Sequence, residues 1–178
     1  MYIEQGNLVI RDATVADAEL LCSWWNDGAV MAHAGFPKGL GITEQEVLTQ
    51  LQTGTDSERK GRLILEIDGT PAGEMSYSAV SEHVAEIGIK ICDFNQQNKA
   101  AGTRCLGMLI RYLFEAQGFH KIILDTNLKN TRAQHVYEKV GFRKIAVPKN
   151  AWTVQHGELQ TFIDYELSLA EWIQGSLP

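Results

Sequence analysis

The sequence predicts a mixed α/β fold, and three observations carry that prediction. Apolar residues recur at helical spacing in the first third, alternate between residues 62 and 91, and return to helical spacing between strand-like runs after that. Turn and cap signals separate these stretches cleanly, the strongest being Asp68-Gly69 between two alternating runs. The chain has 178 residues, of which 44% are hydrophobic, 21% are charged and only 4 are prolines, which excludes disorder and sets the expectation of one domain over residues 1–178.

Residues 8–10 begin a strand. Thr14 to Asp17 reads as a capping box with Asp in place of Glu, and it opens a helix on which Ala18, Leu21, Cys22 and Trp25 share a face. Asn26-Asp27-Gly28 should end that helix with a glycine cap. Residues 33–41, rich in Gly and Pro, form a loop. Thr43-Glu44-Gln45-Glu46 is a complete capping box for a second helix closed by Gly54. Residues 62–67 and 72–80 form a hairpin, and residues 86–91 a third strand with Ile87, Ile89 and Ile91 on one face and Glu86, Gly88 and Lys90 on the other. Leu106, Leu109, Ile110, Leu113 and Phe114 trace the stripe of a long helix ending near Gly118. Residues 121–125 are a short buried strand, Thr131 to Gln134 a capping box for a helix that runs to Gly141, and residues 142–147 and 161–167 a last strand pair.

Composition excludes several classes. The run from Cys105 to Ile110 is far short of the ~20 apolar residues of a membrane span. No Lys or Arg precedes residue 11, so no charged secretory leader is expected, and Cys22, Cys92 and Cys105 read as reduced thiols of a cytoplasmic protein. The five histidines lie apart from one another and from cysteine, which argues against a metal. A net charge of −6 argues against nucleic acid and anionic membranes. The charge is unevenly spread, with 6 basic and 15 acidic residues over 1–98 (net −9) and 10 basic and 3 acidic over 99–149 (net +7). The split allows an acidic field for a cationic ligand beside a basic field for an anionic one, or two solvated faces that differ by chance.

The stretch from Glu86 to Phe142 carries the chemistry. A strand runs through a polar loop into the small residues Ala100-Ala101-Gly102-Thr103 and then a helix, whose unpaired N–H groups form a ready phosphate site. Gln97-Asn98-Lys99-Ala100-Ala101-Gly102 resembles the Q/R-x-x-G-x-G/A coenzyme A pyrophosphate loop of the GNAT superfamily of N-acetyltransferases. Asn130-Thr131-Arg132-Ala133 followed by Tyr137-Glu138-Lys139-Val140-Gly141-Phe142 is similar to the second half of that pattern. The N-terminal Val9-Ile10-Arg11-Asp12-Ala13 resembles the ribosomal-protein and spermidine acetyltransferase branch. Ala100 replaces the first Gly, and Asn98 stands where relatives often have Gly. Asn tolerates left-handed dihedrals, but Ala there costs about 1–2 kcal/mol. Ala100 is therefore expected either to take helical dihedrals or to weaken the cofactor site.

The resemblance implies a GNAT-like, mostly antiparallel central sheet with helices on both faces, and acetyl-CoA as co-substrate. It implies that backbone groups near Ile91 and Cys92 hold the pantetheine arm, that residues 97–103 (Gln97, Asn98, Lys99, Ala100, Ala101, Gly102 and Thr103) hold the pyrophosphate, and that Asn130 contacts the cofactor. It assigns Tyr137 as the acid for the leaving thiolate, although Ala133, Val136, Tyr137 and Val140 also form a packing stripe. Glu86, opposite the isoleucines, is the proposed base for an amine that arrives protonated. Trp25, Asp27 and Phe36 flank the acceptor groove, where aromatic faces attract ammonium groups. The acceptor is a protein N-terminus or lysine, a polyamine, or an aminoglycoside-like amine, and homodimer formation is left open. The alternative, motivated by Ala100, is a non-catalytic acyl-CoA sensor.

Overall fold

Residues 1–53, 59–96, 100–146, 152, 153, 155, 157 and 159–175 are described by a computed structural model. Among them β1 (Tyr2–Gln5), β2 (Leu8–Asp12), β3 (Lys60–Ile67), β4 (Thr70–Ser81), β5 (Val84–Ile91), β6 (Lys121–Asn127), β7 (Arg143–Ala146) and β10 (Phe162–Ser168) make an 8-stranded sheet in the order β1-β2-β3-β4-β5-β6-β10-β7. The short strands β8 (Trp152–Thr153) and β9 (Leu159–Gln160) pair separately. Every neighbouring pair in the large sheet is antiparallel except β5 with β6. A parallel step needs a long crossover, and helix α4 (Ala101–Glu115) supplies it. The other helices are α1 (Ala18–Asn26), α2 (Gly28–Met31), α3 (Glu44–Thr53), α5 (Thr131–Val140) and α6 (Leu169–Gly175). None among the described residues is long and apolar enough to cross a membrane.

Strand register assigns each side chain to one of two faces. Leu63, Met75 and Ile89 align across β3, β4 and β5, and Ile122, Leu124, Tyr165 and Leu167 continue the same face across β6 and β10. There they meet Leu106, Leu109, Ile110 and Leu113 of α4, all fully buried, each worth about 1.5–3 kcal/mol of removed apolar surface. On the opposite face Ile64 packs with Leu21, Trp25, Met31, Val47 and Leu51 from α1, α2 and α3. Helices therefore cover both faces.

The expected elements mostly form, with physical reasons where they differ. Asp68 and Gly69 both take positive φ (52° and 73°), as the two-residue hairpin turn requires. Gly28 is not a helix cap. Asp27 accepts from the Ala29 N–H at 2.7 Å and starts α2, while a Cβ on Gly28 would lie 2.2 Å from the Pro37 carbonyl oxygen. Close approach, not left-handed backbone, demands glycine there. Helix α5 is capped one residue early, by the Asn130 side chain accepting from Ala133 N–H at 3.2 Å. The N-terminal strand β1 and the β8–β9 pair were not evident in the sequence. Gln155, between β8 and β9, bonds Gly35, Lys38 and Gly39 and ties the 35–39 loop to the C-terminal segment.

Candidate active site

Strands β5 and β6 pair only from Val84–Lys121 to Glu86–Ile123. Beyond that point β5 stays in register with β4 as far as Ile91, and β6 with β10 as far as Asn127. Each strand follows its own partner, so the sheet splits. The split opens a cleft of about 640 Å³ that passes through the sheet. On the α4–α5 side it is lined by Ile91, Ala100, Gly102, Thr103 and Tyr137; on the α2 side by Val30, His33, Ser76, Lys90 and Asp125.

The α4 side is built from backbone. Ala100 holds φ 59° and ψ 0°, the left-handed conformation, immediately before α4. The first intrahelical bond is Arg104 N–H to Ala100 carbonyl at 3.1 Å, so the preceding N–H groups of the first turn point out of the helix end. Ala100 thus holds dihedrals that favour glycine, against a cost of about 1–2 kcal/mol. Gly102 faces Ile91 across the cleft, where an added Cβ would lie 3.7 Å from the Ile91 side chain. Arg104 turns away to bond Asn7 and the Gln5 carbonyl of the β1–β2 hairpin.

Tyr137, on α5, belongs to the α4–α5 side. It is 6% exposed, packs edge-on against Tyr165 at 5.6 Å and tilted against Phe142 at 6.1 Å, and still reaches the cleft wall. Burial, then the negative charge of Asp125 and the neighbouring Tyr165, push its hydroxyl well above the usual phenol value. It stays protonated throughout the neutral range. Asp125, on β6, opens into the cleft, and its carboxyl is raised by desolvation and by the charges of Glu86 and Asp164.

On the α2 side one carboxylate gathers three partners. Glu74, 2% exposed, accepts from the Trp25 indole at 3.0 Å and from Lys90 at 2.7 Å on one oxygen, and from Arg62 at 3.2 Å on the other. The Arg62 guanidinium also lies over the Trp25 ring, 4.9 Å from its centre. Desolvation opposes the charge on Glu74, but Lys90 and Arg62 outweigh it and hold the carboxyl below its ordinary value.

Of the residues singled out by sequence, Ile91, Ala100, Gly102, Thr103, Asn130 and Tyr137 meet at the cleft. Gln97, Asn98 and Lys99 lie outside the described residues. Ala101 is turned into the core. Five others, Cys92, Glu86, Trp25, Asp27 and Phe36, do not line the cleft. Cys92 is buried, and its N–H donates to the Ala72 carbonyl at 2.8 Å instead of facing the split. Glu86 sits at the last β5–β6 pair, exposed, where the strands have not yet parted, so it stays off the cleft wall. Trp25 is core, since its indole N–H is needed by Glu74. Asp27 caps α2, and Phe36 is 39% exposed on the loop beyond it; neither lines the cleft. Sequence reading missed Asp125, Glu74 and Arg62 as cleft residues. The face shared by Glu86, Gly88 and Lys90 was the available signal, because register carries it to Glu74 and Arg62.

A parallel strand pair splayed around a cleft, with a helix N-terminus at one mouth, defines a mixed α/β protein with a passage through its sheet. The acetyltransferase (GNAT) domain matches residues 7–143. The chain belongs to the GNAT acetyltransferase family, and with it to the acetyl-CoA-dependent N-acetyltransferases. Among solved structures it is similar to a spermidine N-acetyltransferase from Vibrio cholerae in complex with CoA and spermine (17% identity, TM-score 0.85, covering 95% of this chain and 99% of that one). It is also similar to RimL, a ribosomal L7/L12 alpha-N-protein acetyltransferase in complex with coenzyme A (15%, 0.83, 94% and 98%), and to a GNAT acetyltransferase from Bacillus anthracis (23%, 0.78, 94% and 98%). At these identities the likeness carries the fold.

Proposed function

We propose that residues 1–178 act as one N-acetyltransferase domain that moves an acetyl group from acetyl-CoA to a primary amine by direct attack in a ternary complex. The observation that carries this reading is the cleft's passage through the sheet. Its α4 mouth offers backbone N–H groups, its α2 mouth offers charged side chains, and Tyr137 of α5 lines the same passage. The cofactor supplies an activated acetyl thioester. The first turn of α4, preceded directly by the left-handed Ala100, receives phosphate. The edge of β5 beyond Glu86, no longer paired with β6, aligns the arm. Tyr137 donates a proton to the departing sulfur. Asp125, which faces the cleft where Glu86 does not, takes the amine's proton directly or through water, and its raised carboxyl suits that task.

Free-thiol release from acetyl-CoA across a panel of primary amines tests this reading. Turnover of at least one amine is expected, and Tyr137→Phe, which keeps the ring packing, should lower it by about 10²–10⁴-fold. Thermal stabilisation by coenzyme A without turnover of any amine would return the chain to the acyl-CoA sensor suggested by Ala100. Wild-type turnover in Tyr137→Phe would leave that tyrosine a packing residue.

A further inference from the structure

The acceptor mouth has a charge pattern that the acidic N-terminal half does not foretell. Many of the acids there are already engaged. Asp17 and Glu66 bind Arg11, Glu46 caps α3 through Thr43, and Glu74 is buried under Lys90 and Arg62. What faces the cleft on the β3–β5 wall is a pair of cations sharing one carboxylate, which leaves one positive charge in excess. We propose that Arg62 and Lys90 form an anion site for the acceptor, and that the acceptor is a small primary amine bearing a carboxylate or a phosphate. The inference rests on the acetyl-transfer reading above and names the substrate class of that same site.

Three features support it. The cations are fixed before any ligand arrives: Glu74 holds both through separate oxygens, and the Trp25 ring lies under the guanidinium. Each has donors to spare. A guanidinium carries five N–H donors and an ammonium three, and Glu74 takes one from each. Finally, the charges are segregated across the split. Arg62 and Lys90 belong to the β3–β5 wall, and Asp125 belongs to β6 opposite. An amine whose nitrogen turns to Asp125 and whose anion turns to Arg62 and Lys90 meets opposite charge at both ends. A polyamine meets like charge at one of them. Glu74 pairs in register with Lys90, and Arg62, two residues before the Ile64 that pairs with Glu74, shares their face away from α4, so this site is separate from the helix end proposed for the cofactor's phosphates.

The test compares ω-amino acids of increasing chain length with their primary amides, O-phosphoethanolamine with ethanolamine, and spermidine as the polycation. Binding to the coenzyme A-saturated protein is followed by calorimetry, and turnover by thiol release. The anionic member of a pair should bind and react at least about tenfold better than its neutral partner, the weight of one charge-assisted hydrogen bond. The carboxylate and phosphate arms decide which anion fits. In Arg62→Gln and in Lys90→Gln that ratio should collapse toward one, with thermal melting in each variant confirming a folded protein. Equal binding of acids and amides, or preference for spermidine, overturns the proposal. Anion-dependent binding without turnover would keep the anion site and remove the acetyl-transfer reading instead.

Discussion

The two mouths of the cleft present hydrogen-bond donors made of different materials. At the α4 mouth the donors are backbone N–H groups of a helix end, set by a left-handed residue and spaced by small side chains. At the α2 mouth they are long side chains from β3 and β5, locked by a buried glutamate and an indole from α1. Backbone donors tolerate side-chain change as long as the dihedrals survive, and Ala100 holds left-handed dihedrals without being glycine. Side-chain donors depend on every partner in the cluster. The difference predicts that the acceptor mouth is fragile and the cofactor mouth robust.

The largest expected effect breaks the acceptor mouth. Glu74→Ala leaves Lys90, Arg62 and the Trp25 N–H without their shared acceptor inside the protein and opens a void beside α1. Stability should fall by about 3–5 kcal/mol, as when one partner of a buried ion pair is removed, read from urea or thermal unfolding. A pH dependence follows from the same cluster. The folded carboxyl lies below the ordinary 4.5. Its contribution is therefore present above about pH 4.5 and lost as pH falls through the folded value. Wild type should lose stability on acidification through that window, and Glu74→Ala should lose less. A variant as stable as wild type would mean the cluster holds nothing together.

The next effect tests the cofactor mouth. Gly102→Val keeps the helix but sends methyl groups toward Ile91, into the space between α4 and β5. Saturation of the wild type with coenzyme A at a hundredfold excess over its dissociation constant should add about 2.7 kcal/mol of stability. The variant should lose that gain while its unliganded stability stays close to wild type. An unchanged gain would move the cofactor away from this helix end.

The same contrast explains what was legible in the sequence. The cofactor mouth is local: a strand, a loop and a helix in succession, so a linear motif announces it, and the mixed α/β order follows from period changes that any reader of the chain can count. The acceptor mouth is assembled from residues 25, 62, 74 and 90, which meet only after four elements are laid in register. Trp25 looked like a groove aromatic because the need of Glu74 for an N–H donor appears nowhere near residue 25. Glu86 was placed on the correct face. The point where β5 and β6 part, one pair beyond it, depends on how each strand pairs with its outer neighbour, and Asp125 gains the cleft as a result. Strand β1 escaped notice because its edge position leaves most of its side chains outside, without the alternation that burial imposes.

The smallest effect sharpens the claim that backbone geometry, not glycine itself, makes the cofactor mouth. Ala100 is exposed and holds φ 59°, so its methyl group contributes strain and little packing. Ala100→Gly relieves about 1–2 kcal/mol of left-handed strain and adds about 0.5–1 kcal/mol of unfolded-chain entropy. The net expectation is a stabilisation of about 0.5–1 kcal/mol, which for a chain of this size raises the melting temperature by about 2 °C. Coenzyme A affinity should barely change, because the helix end already has the required angle. A drop in melting temperature would show that the Ala100 methyl is packed. A many-fold gain in affinity would show instead that alanine had bent the loop away from the cofactor, and the robustness assigned to this mouth would be lost.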